Sequence, residues 1–207
     1  MTRPGKIVCV GRNYRDHARE MGNPVPSEPL LFLKPPTSLI PNGSPIILPS
    51  MSRRVEYEGE IGVIIGRVLR RATAHDTLPA VAAIVAVNDV TARDLQHSDG
   101  QWTRAKGFDT FCPLGNGIAP GDDLASLVVM TRVNGAQRQR ARASDMVFPI
   151  PHLLAYISGI MTLEPGDLVA TGTPAGVGPL AAGDTVEVEV AAGNSRSCVR
   201  NPVISDH

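Results

Sequence analysis

A β-strand pattern with an acidic residue at every second position runs through Val55-Glu56-Tyr57-Glu58-Gly59-Glu60-Ile61-Gly62-Val63-Ile64-Ile65. Alternate residues of a strand share a face, so the three carboxylates form a row with about 6 to 7 Å between neighbours. Two charges at that distance repel by about 2 to 3 kcal/mol at an effective dielectric constant near 20. A solvent-facing row tolerates this repulsion, whereas a hard divalent cation held by carboxylate oxygens removes it. The stretch predicts a strand and leaves both explanations of its acidic face open.

A second stretch offers a carboxylate that could join this row. Residues 81–87 are apolar throughout, which is typical of a buried strand. Asp89 follows them, so it would lie at the end of that strand, where it could meet Glu58 and Glu60. Three carboxylates without histidine or thiolate suit a hard ion that keeps positions for water and substrate, which favours Mg²⁺ or Mn²⁺.

The remaining pattern predicts a β-rich fold with few, short helices. Eighteen prolines and twenty glycines interrupt the chain, and no apolar helical pattern extends far beyond a dozen residues. The clearest helix covers residues 150–160, and short helical segments are expected at 14–21, 76–82 and 91–96. Strands are expected at 6–10, 30–33 and 46–48, and another strand is expected to end at residue 171. The final strand is expected at 185–190, and a hairpin is expected around Asn134-Gly135.

Composition excludes several classes of protein. The 20 basic and 20 acidic residues give zero formal charge and no basic cluster stands out, which argues against binding to nucleic acid or to an anionic membrane. Neither a signal peptide nor a membrane span is predicted, because the first apolar run is short. Three widely spaced cysteines suggest reduced thiols rather than disulfides or a zinc site. We expect a cytoplasmic enzyme with a single catalytic domain over residues 1–207.

Six ordered blocks of sequence together resemble the fumarylacetoacetate hydrolase family, closest to its small single-domain branch of acylpyruvate hydrolases and oxaloacetate decarboxylases. The blocks are Gly11-Arg12-Asn13-Tyr14 with Asp16-His17, Glu58-Gly59-Glu60, Asn88-Asp89 to Gln96, Lys106-Gly107-Phe108-Asp109-Thr110-Phe111, Thr171-Gly172-Thr173-Pro174, and Gly176-Val177-Gly178. The resemblance extends from about residue 6 to 195. It implies an α+β fold of the mixed β-sandwich roll type and a homodimer.

The resemblance also implies a set of metal ligands. It aligns Glu58, Glu60 and Asp89 with the metal-binding carboxylates of the family, and the ion would be Mg²⁺ or Mn²⁺. Glu56 lies on the same predicted face and remains an alternative from spacing alone. In the family pattern it would instead face solvent or pair with a basic residue such as Arg53 or Arg54.

Further residues are implied to contact water or substrate. His17 and Glu20 are three positions apart, so on a helix a carboxylate could orient the imidazole, although a charged surface helix would show the same spacing. The family assigns the matching pair to activation of the attacking water, with Lys106 contacting a substrate oxygen. The remaining implied substrate contacts are Arg12, Arg93, Gln96 and Thr173. For Thr173, the glycine before it allows close backbone approach and leaves a hydroxyl free to donate, although a turn is the alternative.

The expected activity is hydrolysis of a carbon–carbon bond in a small 2,4-diketo acid such as fumarylpyruvate or acetylpyruvate, which releases pyruvate and a carboxylic acid. His17 would activate water to attack the 4-oxo carbon, with pyruvate enolate as the leaving group. Decarboxylation of oxaloacetate is the main alternative, because it forms the same enolate without attacking water. An isomerase or decarboxylase of aromatic breakdown and a non-enzymatic, metal-stabilised binding domain are further alternatives.

Overall fold

The computed structural model describes residues 3–22 and 24–206. The predicted domain of residues 1–207 therefore includes four residues, 1, 2, 23 and 207, that lie outside the described part. The strands are β1 (Ile7–Gly11), β2 (Leu30–Lys34), β3 (Leu39–Pro41), β4 (Ile46–Leu48), β5 (Val55–Tyr57), β6 (Gly59–Ile65), β7 (Val81–Asn88), β8 (Thr91–Ala92), β9 (Cys112–Leu114), β10 (Val128–Val133), β11 (Ala136–Arg142), β12 (Leu168–Ala170), β13 (Gly178–Pro179), β14 (Thr185–Ala192) and β15 (Ser195–Ser205). The α-helices are α1 (Arg15–Glu20), α2 (Ala74–Thr77), α3 (Arg93–Asp99), α4 (Thr103–Lys106) and α5 (Ile150–Ile160).

Two mixed sheets form the body of the fold. The larger sheet has the strand order β2-β1-β12-β6-β7-β9-β3, and the second has the order β11-β10-β14-β15-β4. In the larger sheet β1 and β12 are parallel, while β6 is antiparallel to both β12 and β7. Because β6 and β7 are antiparallel neighbours, residues at the end of β7 lie beside the start of β6.

The main core lies between the two sheets. It contains Ile61 and Val63 from β6, Val129 from β10 and Val188 from β14, each fully buried. Helix α5 adds its apolar stripe, including Leu154, to the same core, which confirms the helix predicted at residues 150–160. Burying a side chain of this size contributes about 1.5 to 3 kcal/mol. Within the described residues, none of the helices has the length and apolar character needed to cross a membrane.

The acidic stretch forms two strands rather than the single strand that its alternation predicted. Strand β5 pairs with β8 and β13 in a small third sheet, whereas β6 pairs with β7 and β12. The chain passes from one sheet to the other at Glu58. A regular alternation of side chains cannot reveal such a change of sheet, because both halves remain extended.

Three further boundaries differ from the sequence pattern. Strand β15 follows β14, so residues 185–190 do not form the last strand. The segment predicted as helical at 76–82 contains the last two residues of α2, a 3₁₀ turn at Leu78–Ala80 and the beginning of β7. The turn expected at 91–96 begins as β8 and continues as α3.

Candidate metal centre and active site

Three buried carboxylates meet where β6 and β7 lie side by side. Glu58 precedes β6, Glu60 is within it, and Asp89 follows β7. Gly59 lies opposite Asn88 in the antiparallel pair, and the Asp89 backbone N–H donates to the Glu58 carbonyl at 2.8 Å. One oxygen from each carboxylate lies within 4.8 Å of those from the other two. The three residues predicted as metal ligands therefore form one cluster that could hold an ion.

Lys106 bridges two of these carboxylates. Its Nζ donates to Oε2 of Glu58 at 2.8 Å and to Oδ2 of Asp89 at 2.6 Å. Burial acts to lower the pKa of the Lys106 ammonium, but Asp89 and Glu58 outweigh burial and raise that pKa. Burial also opposes ionisation of Glu58, yet Lys106 and Arg93 hold the pKa of Glu58 well below its usual range. Lys106 and Glu58 are therefore both charged at neutral pH.

A second buried lysine, which the sequence pattern did not reveal, also contacts the cluster. Lys34 is the last residue of β2 and is 2% exposed. Its Nζ donates to Oδ1 of Asp89 at 2.6 Å and to the Val90 carbonyl at 3.1 Å. A lysine at the end of a strand normally faces solvent, and only its position after an apolar run and before Pro35 hinted otherwise.

Glu60 has no cationic partner among the residues that the structure describes. Its Oε2 accepts a hydrogen bond from the Gly172 backbone N–H at 2.8 Å. Burial first, and then the charges of Asp89 and Glu58, raise the pKa of Glu60 well above its usual value. A cation at this position would offset the repulsion among the three carboxylates. The site fits a hard divalent ion such as Mg²⁺ or Mn²⁺, because all its donors are carboxylate oxygens.

Arg93 separates the alternative carboxylate, Glu56, from the cluster. Its Nε donates to Oε2 of Glu56 at 2.7 Å, its Nη2 to Oε1 of Glu58 at 2.5 Å, and its Nη1 to Oε1 of Gln96 at 2.5 Å. Arg54 Nε donates to Oε1 of Glu56 at 2.6 Å. Glu56 is 1% exposed, so of the two alternatives that the family pattern implied, pairing with Arg54 is confirmed and exposure to solvent is excluded.

The histidine and glutamate of α1 are in contact, as their spacing predicted. Nδ1 of His17 lies 3.3 Å from Oε2 of Glu20, and the Gly176 backbone N–H donates to both Glu20 oxygens at 3.1 and 3.2 Å. When Nδ1 carries the proton, it donates to Glu20 and leaves Nε2 as an acceptor. The buried His17 ring therefore has the arrangement of a general base, although its catalytic role stays a prediction.

A single cavity of about 250 Å³ joins these groups. All the predicted site residues except Glu20 line it: Arg12, His17, Glu58, Glu60, Asp89, Arg93, Gln96, Lys106 and Thr173. Its apolar wall, which the sequence pattern did not predict, includes Val10, Met21, Phe32 and Trp102. The Phe32 and Trp102 rings meet edge to face with centroids 5.2 Å apart. The cavity therefore combines a charged cluster with an apolar surface.

A buried hydrogen-bond network holds the backbone between two of the carboxylates. Thr173 Oγ1 donates to the Gly59 carbonyl at 2.9 Å and accepts from Gln139 Nε2 at 2.8 Å. Gln139 Oε1 accepts from the Gly59 N–H at 3.0 Å. The hydroxyl expected to be free to donate therefore gives its proton to the backbone, and substrate contact by Thr173 stays a prediction. Gln139 was not predicted as a site residue, because its strand, β11, is otherwise largely exposed and basic.

Gly59 itself is tightly enclosed in this network. A Cβ atom built at residue 59 would lie 1.9 Å from Oγ1 of Thr131, far inside normal contact distance. Within the described part of the chain, that buried hydroxyl has no hydrogen-bond partner. Glycine is therefore required for close packing between the ligands on either side of residue 59.

Comparison with known proteins identifies relatives that match this chain over most of its length. Residues 6–203 match the family described as fumarylacetoacetate (FAA) hydrolase C-terminal. The chain is 42% identical over 191 residues to the oxaloacetate tautomerase FAHD1, mitochondrial, of Bos taurus, and this match covers 89% of the chain and 86% of the relative. It is 43% identical over 190 residues to the oxaloacetate decarboxylase, mitochondrial, of Dictyostelium discoideum, with coverage of 88% and 87%.

A solved structure agrees with these matches. The crystal structure of 2-hydroxyhepta-2,4-diene-1,7-dioate isomerase from Mycobacterium marinum has a TM-score of 0.89 and 43% sequence identity to this chain. The match covers 99% of this chain and 76% of the isomerase. The expected β-rich fold with few short helices is confirmed.

Proposed function

This chain belongs to the fumarylacetoacetate hydrolase family, and we propose that it is a divalent-metal-dependent hydrolase that cleaves a carbon–carbon bond in small 2,4-diketo acids. Its substrates would be acylpyruvates such as fumarylpyruvate or acetylpyruvate, and its products pyruvate and a carboxylic acid. The similar proteins of named activity are a tautomerase, a decarboxylase and an isomerase, which supports an enzymatic function.

The observation that carries the hydrolase proposal is the position of His17. Its imidazole lines the cavity that contains the carboxylate cluster, and Glu20 fixes its Nδ1 side. Hydrolysis requires a base that removes a proton from water as the oxygen attacks the 4-oxo carbon. The bond between carbons 3 and 4 then breaks, and carbon 3 of the pyruvate enolate takes up a proton. Decarboxylation requires no such base, so a buried and oriented histidine favours hydrolysis.

The charged cluster supports the same reaction. A divalent cation held by Glu58, Glu60 and Asp89 would supply Lewis-acid chemistry to the 2-oxo group of the substrate. Lys106 uses two of its three N–H donors on carboxylates, and it keeps one for a substrate oxygen on which negative charge develops. Arg93 holds Glu58 and Gln96 in position and leaves the Gln96 amide nitrogen available to a substrate oxygen.

Decarboxylation of oxaloacetate is the second candidate, and the names of the similar proteins favour it. The relatives from Bos taurus and Dictyostelium discoideum are named for tautomerisation and decarboxylation of oxaloacetate. Loss of carbon dioxide from oxaloacetate also yields pyruvate enolate, so the same cluster and the same lysine would serve. The similarity to a dioate isomerase supports a third candidate, isomerisation of an unsaturated acid.

A panel of substrates tests these candidates directly. Acetylpyruvate, fumarylpyruvate and oxaloacetate would each be incubated with the protein and Mg²⁺ or Mn²⁺, and pyruvate would be measured. We expect the highest kcat/KM with an acylpyruvate, and loss of that activity in Asp89→Asn but not in Arg140→Gln, which changes an exposed residue of β11. Faster release of pyruvate from oxaloacetate would favour the decarboxylase. Absence of pyruvate with every acid would contradict both candidates and would leave an isomerase or a binding domain.

A further inference from the structure

Gly176 connects the pair formed by His17 and Glu20 to the body of the fold. Its backbone N–H donates to both Glu20 carboxylate oxygens, at 3.1 and 3.2 Å. The Glu20 side chain is 36% exposed, and a glutamate in that position keeps several side-chain conformations unless a partner selects one. The Gly176 N–H therefore sets the orientation of this carboxylate and, through Nδ1, the orientation of the His17 ring.

The backbone of Gly176 cannot fix this direction by itself. Its φ is +99°, in the region that favours glycine, and glycine has the greatest conformational freedom of all residues. A Cβ atom built at residue 176 would collide with the Arg138 carbonyl oxygen, so β11 packs closely against Gly176. This contact limits the position of Gly176, and a directional partner is needed to limit its rotation.

The Tyr57 hydroxyl provides that directional contact. It donates to the Gly176 carbonyl at 2.9 Å, and Tyr57 is 4% exposed. Tyr57 lies opposite Gly178 in the pairing of β5 with β13, and a Cβ atom at residue 178 would lie 2.9 Å from the Tyr57 oxygen. In the part of the chain that the structure describes, Tyr57 is not among the residues that line the cavity, so it can affect a reaction there only through other groups.

The position of Tyr57 in the chain links this contact to the carboxylate cluster. Tyr57 is the last residue of β5, and Glu58 follows it where the chain passes to the larger sheet. The two neighbours contact different parts of the site, since Glu58 accepts from Lys106 and Tyr57 donates to Gly176. Two consecutive residues therefore connect the imidazole side of the cavity to the carboxylate side.

We propose that Tyr57 is a positioning residue, whose hydroxyl fixes Gly176 so that the Gly176 N–H orients Glu20 and His17 for activation of water. The proposal rests on the proposed function, because it assumes that His17 is the base in hydrolysis. Tyr57 transfers no proton in this scheme and touches no substrate. Loss of its hydroxyl leaves the metal ligands in place and releases the imidazole from its productive orientation.

A single oxygen atom is removed to test the proposal. Tyr57→Phe keeps the ring, and Tyr156→Phe makes the same change on α5 as the matched control. We expect Tyr57→Phe to lower kcat for acylpyruvate hydrolysis about 10-fold, because a misplaced base is less effective, while KM and the affinity for Mg²⁺ stay close to those of the wild type. Oxaloacetate decarboxylation should be nearly unchanged. The Gly176 amide should exchange its hydrogen faster in Tyr57→Phe than in the wild type or the control.

A double-mutant cycle with His17→Ala separates positioning from a general weakening of the fold. If Tyr57 acts through the imidazole, Tyr57→Phe should cause no further loss of hydrolysis in the His17→Ala background. An additive loss, an unchanged kcat, unchanged exchange at Gly176 or an equal loss of decarboxylation would each overturn the proposal and leave the proposed function intact. Absence of acylpyruvate hydrolysis in the wild type would overturn the two together.

Discussion

The Lys34 ammonium lies 2.6 Å from Oδ1 of Asp89, and both side chains are almost completely buried. Lys106 occupies the other oxygen of Asp89 at the same distance. Asp89 therefore has a cation on each side, and the chain carries its own positive charges within the acidic cluster. This arrangement explains how several carboxylates can share one buried region of the fold.

Removal of the Lys34 charge should destabilise the protein strongly. Lys34→Met leaves Asp89 short of one partner in a buried site, and breaking such a pair typically costs about 3 to 5 kcal/mol. The free energy of unfolding, measured in urea with chelator present, reports this loss. Arg19→Met is the control, because Arg19 pairs with Asp16 and both side chains are exposed, at 81% and 79%. A loss in Lys34→Met no greater than in the control would contradict the prediction.

Glu60 and Glu56 should respond in opposite ways to amidation. Glu60→Gln should weaken binding of Mg²⁺ or Mn²⁺ while leaving the metal-free protein as stable as the wild type, because burial and the charges of Asp89 and Glu58 oppose ionisation of Glu60 more than Lys106 and one backbone donor favour it. Glu56→Gln should lower stability by weakening its pairs with Arg93 and Arg54, with little change in metal affinity. Titration calorimetry and urea unfolding of both variants decide the question. Equal losses of metal affinity would mean that Glu56 is also a ligand.

Removal of the His17 imidazole should separate the two candidate reactions. His17→Ala should lower kcat/KM for acylpyruvate hydrolysis by about 10²- to 10⁴-fold, the range typical of a lost general base. Oxaloacetate decarboxylation should fall far less, since it needs no activated water. Asp89→Asn, measured beside it, should impair both reactions. Equal losses in His17→Ala would assign the histidine another role, such as protonation of the enolate.

The Gln139 amide should matter for metal binding although it lies outside the cluster. Gln139→Glu keeps an acceptor for the Gly59 N–H but loses the donors to Thr173 and to the Pro174 carbonyl. An unsatisfied buried acceptor costs about 1 to 3 kcal/mol, and burial of an unpaired carboxylate costs more. Stability should therefore fall, and the two ligands beside Gly59 should bind metal more weakly. Gln137→Glu, an exposed change on the same strand, is the control. If Gln139→Glu leaves the metal affinity unchanged, Gln139 stabilises the fold without supporting the metal ligands.

The sequence predicted elements whose apolar period is regular. The run before Asp89 and the stripe of α5 both follow simple patterns, and the structure confirms them. Strand β15 was missed because polar residues occupy two of its four buried positions. Ser197 donates to the Asn116 carbonyl and Asn201 to the Pro41 carbonyl, so buried positions of β15 appear hydrophilic in the sequence.

Strand spacing placed Glu58, Glu60 and Asp89 near one another but left a solvent-facing row open, and the matching blocks of sequence supplied the rest of the candidate site. Those blocks supplied the residues that contact the cavity, including His17 and Lys106. These blocks did not indicate which buried side chains hold the site residues in place. Lys34 and Gln139 act through contacts between distant segments of the chain, with partners 55 and at least 34 residues away. Such contacts depend on the assembled fold, so no local pattern reveals them.

The packing around Gly59 also limits the order in which this sequence can change during evolution. A side chain at residue 59 would collide with the Thr131 hydroxyl, which lies 1.9 Å from the position of the new Cβ. Because that hydroxyl makes no hydrogen bond within the described residues, its loss by Thr131→Ala removes little. A lineage could therefore acquire alanine at residue 59 only after residue 131 had become smaller. The packing therefore predicts that changes at the two positions depend on one another, although 72 residues separate them along the chain.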